Sequence, residues 1–369
     1  MKTVCAINQC SSCKACINVC KHNAVNIVDD VRFCNAVIDS NKCINCGMCV
    51  KICPTNNPIA KHPPILWKQG WALDSDVRQQ ASSGGAASAI QHAFVENGGT
   101  VCSCCFDNGE YGFALASEPN DLRRFAGSKY VKSNPDKVYE KVNQLVKEKK
   151  KVLFVGLPCQ CAAVKKITKD SDYLYTVDLI CHGTPSPKLL SMFLEEKGYQ
   201  SSCMEDLKFR KKMSFCLSDG DKSLEPKSVR DRYMIAFLKS LCYTENCYSC
   251  QYATLERVSD ITLGDSWGSE LDQDEQRKGV SLILCQTEKG RELLRCAKMD
   301  LRDVDLNVAI RNNRQLMFPS QKPDQYEVFF RKLNQCNNFN RAVKKSYPQI
   351  CIRQSIKAFC VKHGIIERD

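Results

Sequence analysis

Features that mark exported, membrane-spanning and nucleic-acid-binding proteins are missing from this sequence. No apolar run approaches the ~18 residues that a helix needs to cross a bilayer, and residues 1–10 lack the apolar stretch of a secretory signal. No basic block stands out either, because the densest run, 147–151, contains Glu148 and ends a helical pattern, where lysines suit the negative helix end. We therefore expect a cytoplasmic protein that neither inserts into membranes nor binds nucleic acid.

Cysteine is the one abnormal component of the composition. The chain has 369 residues, 26 of them Cys, with 53 Lys plus Arg, 41 Asp plus Glu and a net charge of +12. Its 43% hydrophobic and 25% charged residues are ordinary for globular proteins and exclude a disordered or fibrous chain. Since disulfide scaffolds belong to short secreted domains, so much cysteine in a long chain indicates metal or redox chemistry.

One cysteine pattern, C-x2-C-x2-C-x3-C, occurs twice near the N-terminus. The two copies are Cys10, Cys13, Cys16, Cys20 and Cys43, Cys46, Cys49, Cys53. The two-residue gaps let three thiolates of one loop face three corners of an iron–sulfur cube, while the fourth cysteine points to the neighbouring cluster. The pattern predicts two 4Fe-4S clusters with crossed ligands, as in a bacterial two-cluster ferredoxin: Cys10, Cys13, Cys16 and Cys53 hold one, and Cys43, Cys46, Cys49 and Cys20 the other.

A pair of zinc knuckles is the alternative for these eight cysteines. Zinc sites usually use two CxxC pairs or include histidine. Two tandem runs of four cysteines do not resemble either pattern. The second run has the usual proline after its fourth cysteine, Pro54, whereas the first has Lys21 and His22. Cys5 and Cys34 fall outside the repeat, and we interpret both as small buried apolar residues.

The rest of the chain predicts a larger domain of different architecture. Pro63 and Pro64 forbid helix continuation, so we place a linker at 61–80 between a ferredoxin domain, 1–60, and a body, 81–330. In the body, strand-like apolar runs alternate with helical patterns, which predicts an α/β body with a substantially parallel or mixed sheet after an α+β ferredoxin-like domain. We expect 331–369 to form a basic helical tail. The predicted strands are 100–106, 151–156, 173–180, 261–263 and 280–285, and the predicted helices lie near 85–97, 136–149, 186–197, 229–241 and 288–297.

Four further cysteines stand at positions suited to ligand binding. Cys159 and Cys181 each follow a predicted strand, and the carboxyl ends of strands in open α/β sheets form the ligand-binding crevice. Cys247 and Cys250 add a CxxC pair. Spacing alone leaves this set compatible with zinc, a thiol–disulfide couple or iron–sulfur ligation.

Five motifs follow one another along the body. They are SSGGAASAI (82–90), GSKY (127–130), GLPCQ (156–160), DLICHGTPSP (178–187) and CYSCQYATLERVSDITLGDSWG (247–268). Together they resemble the coenzyme F420 hydrogenase/dehydrogenase beta-subunit family over roughly residues 65–330. Many members of that family carry an appended ferredoxin unit, as this chain does.

The resemblance implies FAD beside a 4Fe-4S cluster. The family's cluster cysteines correspond here to Cys159, Cys181, Cys247 and Cys250, which makes three 4Fe-4S clusters in all. A zinc site and unliganded structural cysteines remain alternatives. Cys161 is the nearest rival ligand, but it lies in the helical register of a core face, so we interpret it as packing.

The flavin-binding residues are implied mainly by the same resemblance. The segment 82–85 precedes a helix, where a serine can cap and glycines let N–H groups approach a pyrophosphate, although an ordinary helix start explains it equally well. Arg257, Asp260 and Asp265 surround a short strand, either as a structural ion-pair set or as flavin and partner contacts. His182 invites a role as proton donor, but a loop histidine satisfied by backbone is the simpler interpretation, and we assign no catalytic residue. The expected cofactor-binding residues are Ser83, Gly84, Gly85, Ser128, Lys129, Tyr130, Arg257 and Asp260.

One-electron clusters beside a flavin convert single electrons to two-electron chemistry. We therefore expect an iron–sulfur flavoprotein oxidoreductase working between a ferredoxin or other redox protein and an organic substrate, deazaflavin-like or other. The alternatives are an electron-transfer subunit without its own substrate site and a zinc-binding interaction protein. Radical S-adenosylmethionine chemistry is disfavoured because no C-x3-C-x2-C stretch is present. A homo-oligomer is compatible with the sequence.

Overall fold

The computed structural model describes residues 2–135, 137–226 and 229–365. Its strands are β1 (Val25–Asp29), β2 (Cys34–Ile38), β3 (Leu66–Ala72), β4 (Thr100–Asp107), β5 (Glu110–Ala116), β6 (Val152–Gly156), β7 (Leu174–Leu179), β8 (Leu207–Lys211), β9 (Ser214–Asp219), β10 (Lys222–Ser223), β11 (Ile261–Asp265), β12 (Ser281–Cys285) and β13 (Met299–Arg302).

The α-helices alternate with these strands in the body and follow one another near the C-terminus. They are α1 (Ala15–Asn18), α2 (Met48–Ile52), α3 (Ser75–Gln80), α4 (Ala86–Glu96), α5 (Val138–Lys147), α6 (Pro158–Thr168), α7 (Pro187–Glu196), α8 (Arg232–Leu238), α9 (Gln273–Lys278), α10 (Glu288–Cys296), α11 (Leu306–Asn312), α12 (Tyr326–Cys336), α13 (Phe339–Ser346) and α14 (Pro348–Lys362). None of the described helices is long and apolar enough to span a membrane.

An eight-stranded mixed sheet forms the centre of the body, in the order β13-β3-β12-β11-β7-β6-β4-β5. Strands β11, β7, β6 and β4 run parallel, and the strands outside them pair antiparallel. Every residue of β6 is buried, because α5 and α6 cover one face of the sheet and α4 and α10 the other. The prediction of an α/β body with a mixed sheet is confirmed, and the carboxyl ends of the parallel strands meet at one edge.

The segment predicted as a linker belongs to the body instead. Strand β3 lies between β12 and β13, pairing with both. Its polar residue Gln69 is 3% exposed, and its side chain donates to the Asp303 carbonyl at 2.9 Å and accepts from the Ser266 hydroxyl at 2.8 Å. Partners from far along the chain thus satisfy the buried polar side chain of this strand.

The C-terminal region is helical, as expected, but it is not a separate tail. Helix α12 begins at Tyr326, before the predicted boundary, and Phe339 and Val343 of α13 are fully buried in the same hydrophobic core as α7 and α8. Residues 366–369 of the predicted tail lie outside the described residues.

The N-terminal unit packs directly on the body. Cys13 and Ala15 join the apolar core formed by α5 and α6. Arg32 pairs with Glu245 at 3.2 Å and with Glu327 at 2.7 Å. Because partly exposed ion pairs contribute about 0–1 kcal/mol, the apolar contact dominates this attachment.

Candidate functional site

Four thiols surround a cavity of about 210 Å³ at the carboxyl edge of the parallel strands. The chain turns into α6 directly after β6, which places one cysteine in the first turn, and the second lies in the loop after β7. The other two come from the short 3-10 turn at 245–249 and the residue after it. The structure therefore brings together the whole set that the sequence placed in this crevice: Cys159, Cys181, Cys247 and Cys250.

Burial keeps three of these thiols protonated in the absence of a bound cation. It raises the pKa of Cys159 and of Cys250, and it raises that of Cys181 to about 12. Lys132 opposes the effect at Cys159 because its positive charge lies nearby. Any metal bound here must therefore displace protons, and the affinity of the site will rise with pH.

The N-terminal thiols form a set that joins the two repeats. The Cys5 thiol lies within hydrogen-bonding reach of both Cys10 and Cys53, which lowers the pKa of Cys10 to about 7 and that of Cys53 to about 6 and raises that of Cys5. Cys13 and Cys16 lie close enough to Cys10 and Cys53 to interact electrostatically with both. The last cysteine of the second repeat thus lies among the first three of the first repeat.

Three of the remaining N-terminal thiols also lie near one another, because Cys49 interacts electrostatically with Cys20 and Cys43. Cys46 of the same repeat is exposed, and it is flanked by the exposed apolar side chains of Ile44 and Met48.

Backbone N–H groups point at sulfur atoms in both regions. Four backbone nitrogens each lie 3.4 Å from a cysteine Sγ. The pairs are Ser12 with Cys10, Ala24 with Cys20, Asn45 with Cys43, and Thr184 with Cys247. Hydrogen bonds of this kind favour the thiolate and help to set the potential of a sulfur-ligated cluster.

Two aromatic residues connect the N-terminal thiols with those of the body. Tyr139 and Tyr252 each interact electrostatically with Cys13 on one side and with Cys159 on the other. Cys13 and Cys159 also interact directly. The first N-terminal set and the body set are therefore neighbours, although they lie far apart in the sequence.

A second, larger cavity of about 450 Å³ adjoins the thiol cavity. Five of the expected cofactor-binding residues line it: Ser83, Gly85, Ser128, Lys129 and Tyr130. The wall between the two cavities is lined on both sides by Ser133, Leu157, Gln160, Cys181, His182, Gly183 and Thr184. A cofactor in the larger cavity would therefore lie directly against the thiol set, because Cys181 itself lines both cavities.

The N-terminus of α4 faces this cavity, and the residue that caps the helix is not a serine. Gly85 is the N-cap residue, with φ +89°, a conformation that L side chains rarely adopt. Ser82 accepts a hydrogen bond from the Ser128 N–H at 2.8 Å, and Ser83 donates to the Val280 carbonyl at 2.9 Å. The serines thus fasten two loops together and leave the helix N-terminus without a side-chain cap.

Gly84 does not line the cavity, contrary to the role expected of it. A Cβ at this position would lie 2.4 Å from the Gly70 carbonyl oxygen and 2.7 Å from the Ser281 nitrogen. Glycine is required here because the loop packs against the backbones of β3 and β12, rather than to admit a phosphate.

Lys129 and Tyr130 are fixed by the protein in different ways. The Lys129 ammonium donates to the carbonyls of Phe125, Ala126 and Gly127 at 2.6, 2.9 and 2.8 Å, so its three donors are used within the loop, and burial lowers its pKa. These three bonds hold the loop together and leave the ammonium no further donor for a cofactor. Tyr130 stacks on Phe237 with ring centroids 4.4 Å apart, which adds an aromatic wall to the cavity.

Arg257 and Asp260 do not reach the larger cavity. Arg257 is 2% exposed and lines the thiol cavity, where its guanidinium donates to the Gln315 carbonyl at 3.4 Å. Asp260 precedes β11 and therefore lies at the opposite end of the strand, where it accepts from the Thr176 N–H at 2.7 Å and the Thr287 hydroxyl at 2.7 Å. Asp260 is therefore held by hydrogen bonds within the sheet, and among the described residues it forms neither the ion pair nor the cavity contact that the sequence left open.

Sequence reasoning missed a charged pair at the mouth of the larger cavity. Arg210 of β8 makes a two-pronged ion pair with Asp265 at 2.6 and 2.9 Å, and its guanidinium lies over the Trp267 ring at 5.6 Å. The sequence showed Asp265 and Trp267 within a motif but gave no signal for Arg210, which arrives from a separate three-stranded sheet.

Comparisons with known proteins agree with this division of the chain. Two family models of the coenzyme F420 hydrogenase/dehydrogenase beta subunit match it, the model of the N-terminal part at residues 68–140 and the model of the C-terminal part at residues 149–304. A model of the 4Fe-4S dicluster domain matches residues 9–57. Among solved structures, a chain of the F420-reducing [NiFe] hydrogenase complex from Methanosarcina barkeri is similar, with 18% sequence identity, a TM-score of 0.49, and coverage of 75% of this chain and 95% of that chain.

Proposed function

The chain belongs to the coenzyme F420 hydrogenase/dehydrogenase beta-subunit family and carries a 4Fe-4S domain, and from this premise we propose that it is an FAD-dependent iron–sulfur oxidoreductase with its own substrate site. Its electrons would be exchanged with a ferredoxin or another redox protein and with an organic substrate. The observation that carries this proposal is the wall shared by the thiol cavity and the larger cavity.

The three thiol sets are the proposed ligands of three 4Fe-4S clusters. They are Cys10, Cys13, Cys16 and Cys53; Cys43, Cys46, Cys49 and Cys20; and Cys159, Cys181, Cys247 and Cys250. A lone zinc ion needs its ligand atoms about 2.0–2.3 Å away, converging on one point. Within the described ranges, no three His, Cys, Asp or Glu side chains converge in this way, and the body thiols surround a cavity instead. This arrangement favours a polynuclear cluster over zinc.

The larger cavity is the proposed FAD site. Its volume of about 450 Å³ falls within the ~300–1,000 Å³ typical of ligand pockets. At the N-terminus of the eleven-residue helix α4, the Ala86 N–H donates to the Ser281 hydroxyl at 3.5 Å, so the N–H groups of Ala87 and Ser88 are the ones offered to a pyrophosphate. Tyr130 offers an aromatic face. Clusters pass single electrons, and bound FAD would combine two of them for an organic substrate.

The chain's own residues prepare this route in three ways. Gln160 holds the shared wall by donating to the Ser133 hydroxyl at 3.0 Å and accepting from the Leu157 N–H at 2.9 Å. Apolar side chains of α5 and α6 pack around Cys13 and hold the first N-terminal set against the body. The exposed face around Cys46 is the proposed docking site for the redox partner, because charge enters or leaves most readily where a ligand meets solvent.

Anaerobic reconstitution of the full-length chain tests the proposal. We expect on the order of 12 iron atoms per chain, almost no zinc, and FAD that is reduced when a reduced ferredoxin is added. Iron and zinc are measured by elemental analysis and released flavin by fluorescence. Full iron without flavin would instead establish an electron-transfer subunit, and a colourless zinc protein would overturn the iron–sulfur assignment.

Crossed ligation makes a reciprocal prediction for the fourth cysteine of each repeat. Cys53→Ser should damage the cluster of Cys10 and Cys13, since Cys53 lies among those thiols, whereas Cys20→Ser should damage the cluster of Cys43 and Cys49. The electron paramagnetic resonance (EPR) signal lost in each variant is compared with the signals lost in Cys10→Ser and Cys43→Ser. If Cys53→Ser matches Cys43→Ser, the ligands do not cross.

A further inference from the structure

Lys132 is a buried cation that lies between two thiol sets. It is 9% exposed and lines the cavity of the body thiols. Its charge interacts with Cys247 and Cys159 of the body set, with Cys34, which belongs to neither set, and with Cys10 of the first N-terminal set. Its ammonium donates to the Ser11 carbonyl at 3.3 Å, inside the loop between Cys10 and Cys13.

This ammonium has no counter-charge of the ordinary kind. In the part of the chain that the structure describes, no carboxylate forms an ion pair with Lys132, and its hydrogen bond goes to a neutral carbonyl. An unpaired buried charge is strongly unfavourable, so proteins retain one only where an opposite charge compensates it. The groups of opposite charge available to Lys132 are the cysteine sulfurs on its two sides.

We propose that Lys132 is the shared counter-charge of two cluster sites, one formed by Cys10, Cys13, Cys16 and Cys53 and the other by Cys159, Cys181, Cys247 and Cys250, and that it raises the reduction potential of both. The inference rests on the proposed function. Reduction adds one negative charge to a cluster, and a nearby fixed cation in a low-dielectric interior stabilises the charge added.

Sharing one cation between two sites has a particular benefit for electron transfer between them. When one electron moves from the first N-terminal cluster to the body cluster, the first N-terminal cluster loses one negative charge and the body cluster gains one. Lys132 faces the same total charge before and after, so it neither moves nor exchanges a proton during the step. It is a positioning residue in this scheme, because it acts through the clusters and does not contact a substrate.

The experiment is a redox titration followed by EPR on the full-length protein reconstituted with all its clusters. In Lys132→Met, the midpoint potentials of the first N-terminal cluster and of the body cluster should both shift to more negative values. The cluster of Cys43 and Cys49, which does not adjoin Lys132, should keep its potential and provide an internal reference. Lys132→Arg should retain both potentials, and Lys147→Met, which removes a charge from the exposed end of α5, should shift none.

Each outcome decides the question. An Lys132→Met protein that is less stable but unchanged in both potentials would reduce Lys132 to a docking contact with Ser11. A shift in one cluster only, or loss of body-cluster iron with the Cys10 cluster unchanged, would overturn the sharing. If Lys132→Met fails to fold, the same titration on Lys132→Gln decides. Wild-type protein with iron for only two clusters would instead refute the proposed function.

Discussion

Cys159→Ser should reduce the iron content of the reconstituted protein from about twelve to about eight atoms per chain and stop electrons from reaching the flavin. Serine replaces a soft thiolate with a hydroxyl, and the buried site offers the cluster no water-accessible substitute. The two N-terminal clusters should remain, because their proposed ligands lie outside the body. Iron analysis and stopped-flow reduction of the flavin by reduced ferredoxin measure the two effects.

Cys161→Ser is the matched control for this substitution. Cys161 lies two residues further along α6, is fully buried, and directs its thiol to the Val177 carbonyl at 3.6 Å instead of to the cavity. It should keep about twelve iron atoms and the flavin reduction. Unchanged iron in Cys159→Ser, or equal loss in both variants, would remove the third cluster from the scheme.

Ser88→Phe should abolish flavin binding while leaving the iron content unchanged. Ser88 is half-buried in the first turn of α4 and lines the larger cavity, so an aromatic ring there would occupy the space proposed for FAD. We expect affinity to fall at least about tenfold, or ~1.4 kcal/mol. Fluorescence of flavin released by acid precipitation measures the loss, alongside iron analysis.

His92→Phe provides the control on the same helix. His92 lies one turn further along α4, is half-buried, and does not line the cavity. This variant should bind flavin normally. Retention of flavin by Ser88→Phe would place the cofactor elsewhere and would leave the larger cavity without its proposed occupant. Gly84→Val is unsuitable for the same purpose, because the new side chain would meet strand backbone rather than the cavity.

The sequence revealed those parts of the fold that local pattern determines. Strand β6 was predictable because a buried parallel strand is apolar at every position, and the cysteine sets because few residue types can ligate iron. Strand β3 was not, since its buried Gln69 depends on partners about two hundred residues away. Lys132 was missed for a related reason: a lysine is ordinarily exposed, and this one is buried by residues from several distant parts of the chain, among them Ser11, Cys159 and Cys247.

The expected flavin contacts show that a sequence motif can predict which segments line a cavity without predicting which of its residues contact a ligand. The glycine motif does mark the start of α4, and the GSKY segment does line the cavity. The Lys129 ammonium nevertheless donates all its hydrogen bonds to carbonyls of one loop, and Gly84 packs against the backbone of two strands. A motif fixes which segments approach each other, but the sequence does not show which atoms of them remain free for a ligand.

The burial of Cys13 between the N-terminal unit and helices α5 and α6 sets an order for the maturation of the protein. All proposed ligands of the first two clusters leave the ribosome before α5 is made, so these clusters can be inserted into the newly synthesised unit while its thiols are still accessible. The proposed third cluster cannot be completed before Cys250 is made. Because docking buries Cys13 whereas Cys46 stays exposed, we expect iron at the proposed Cys13 site to be lost and replaced more slowly than iron at the proposed Cys46 site.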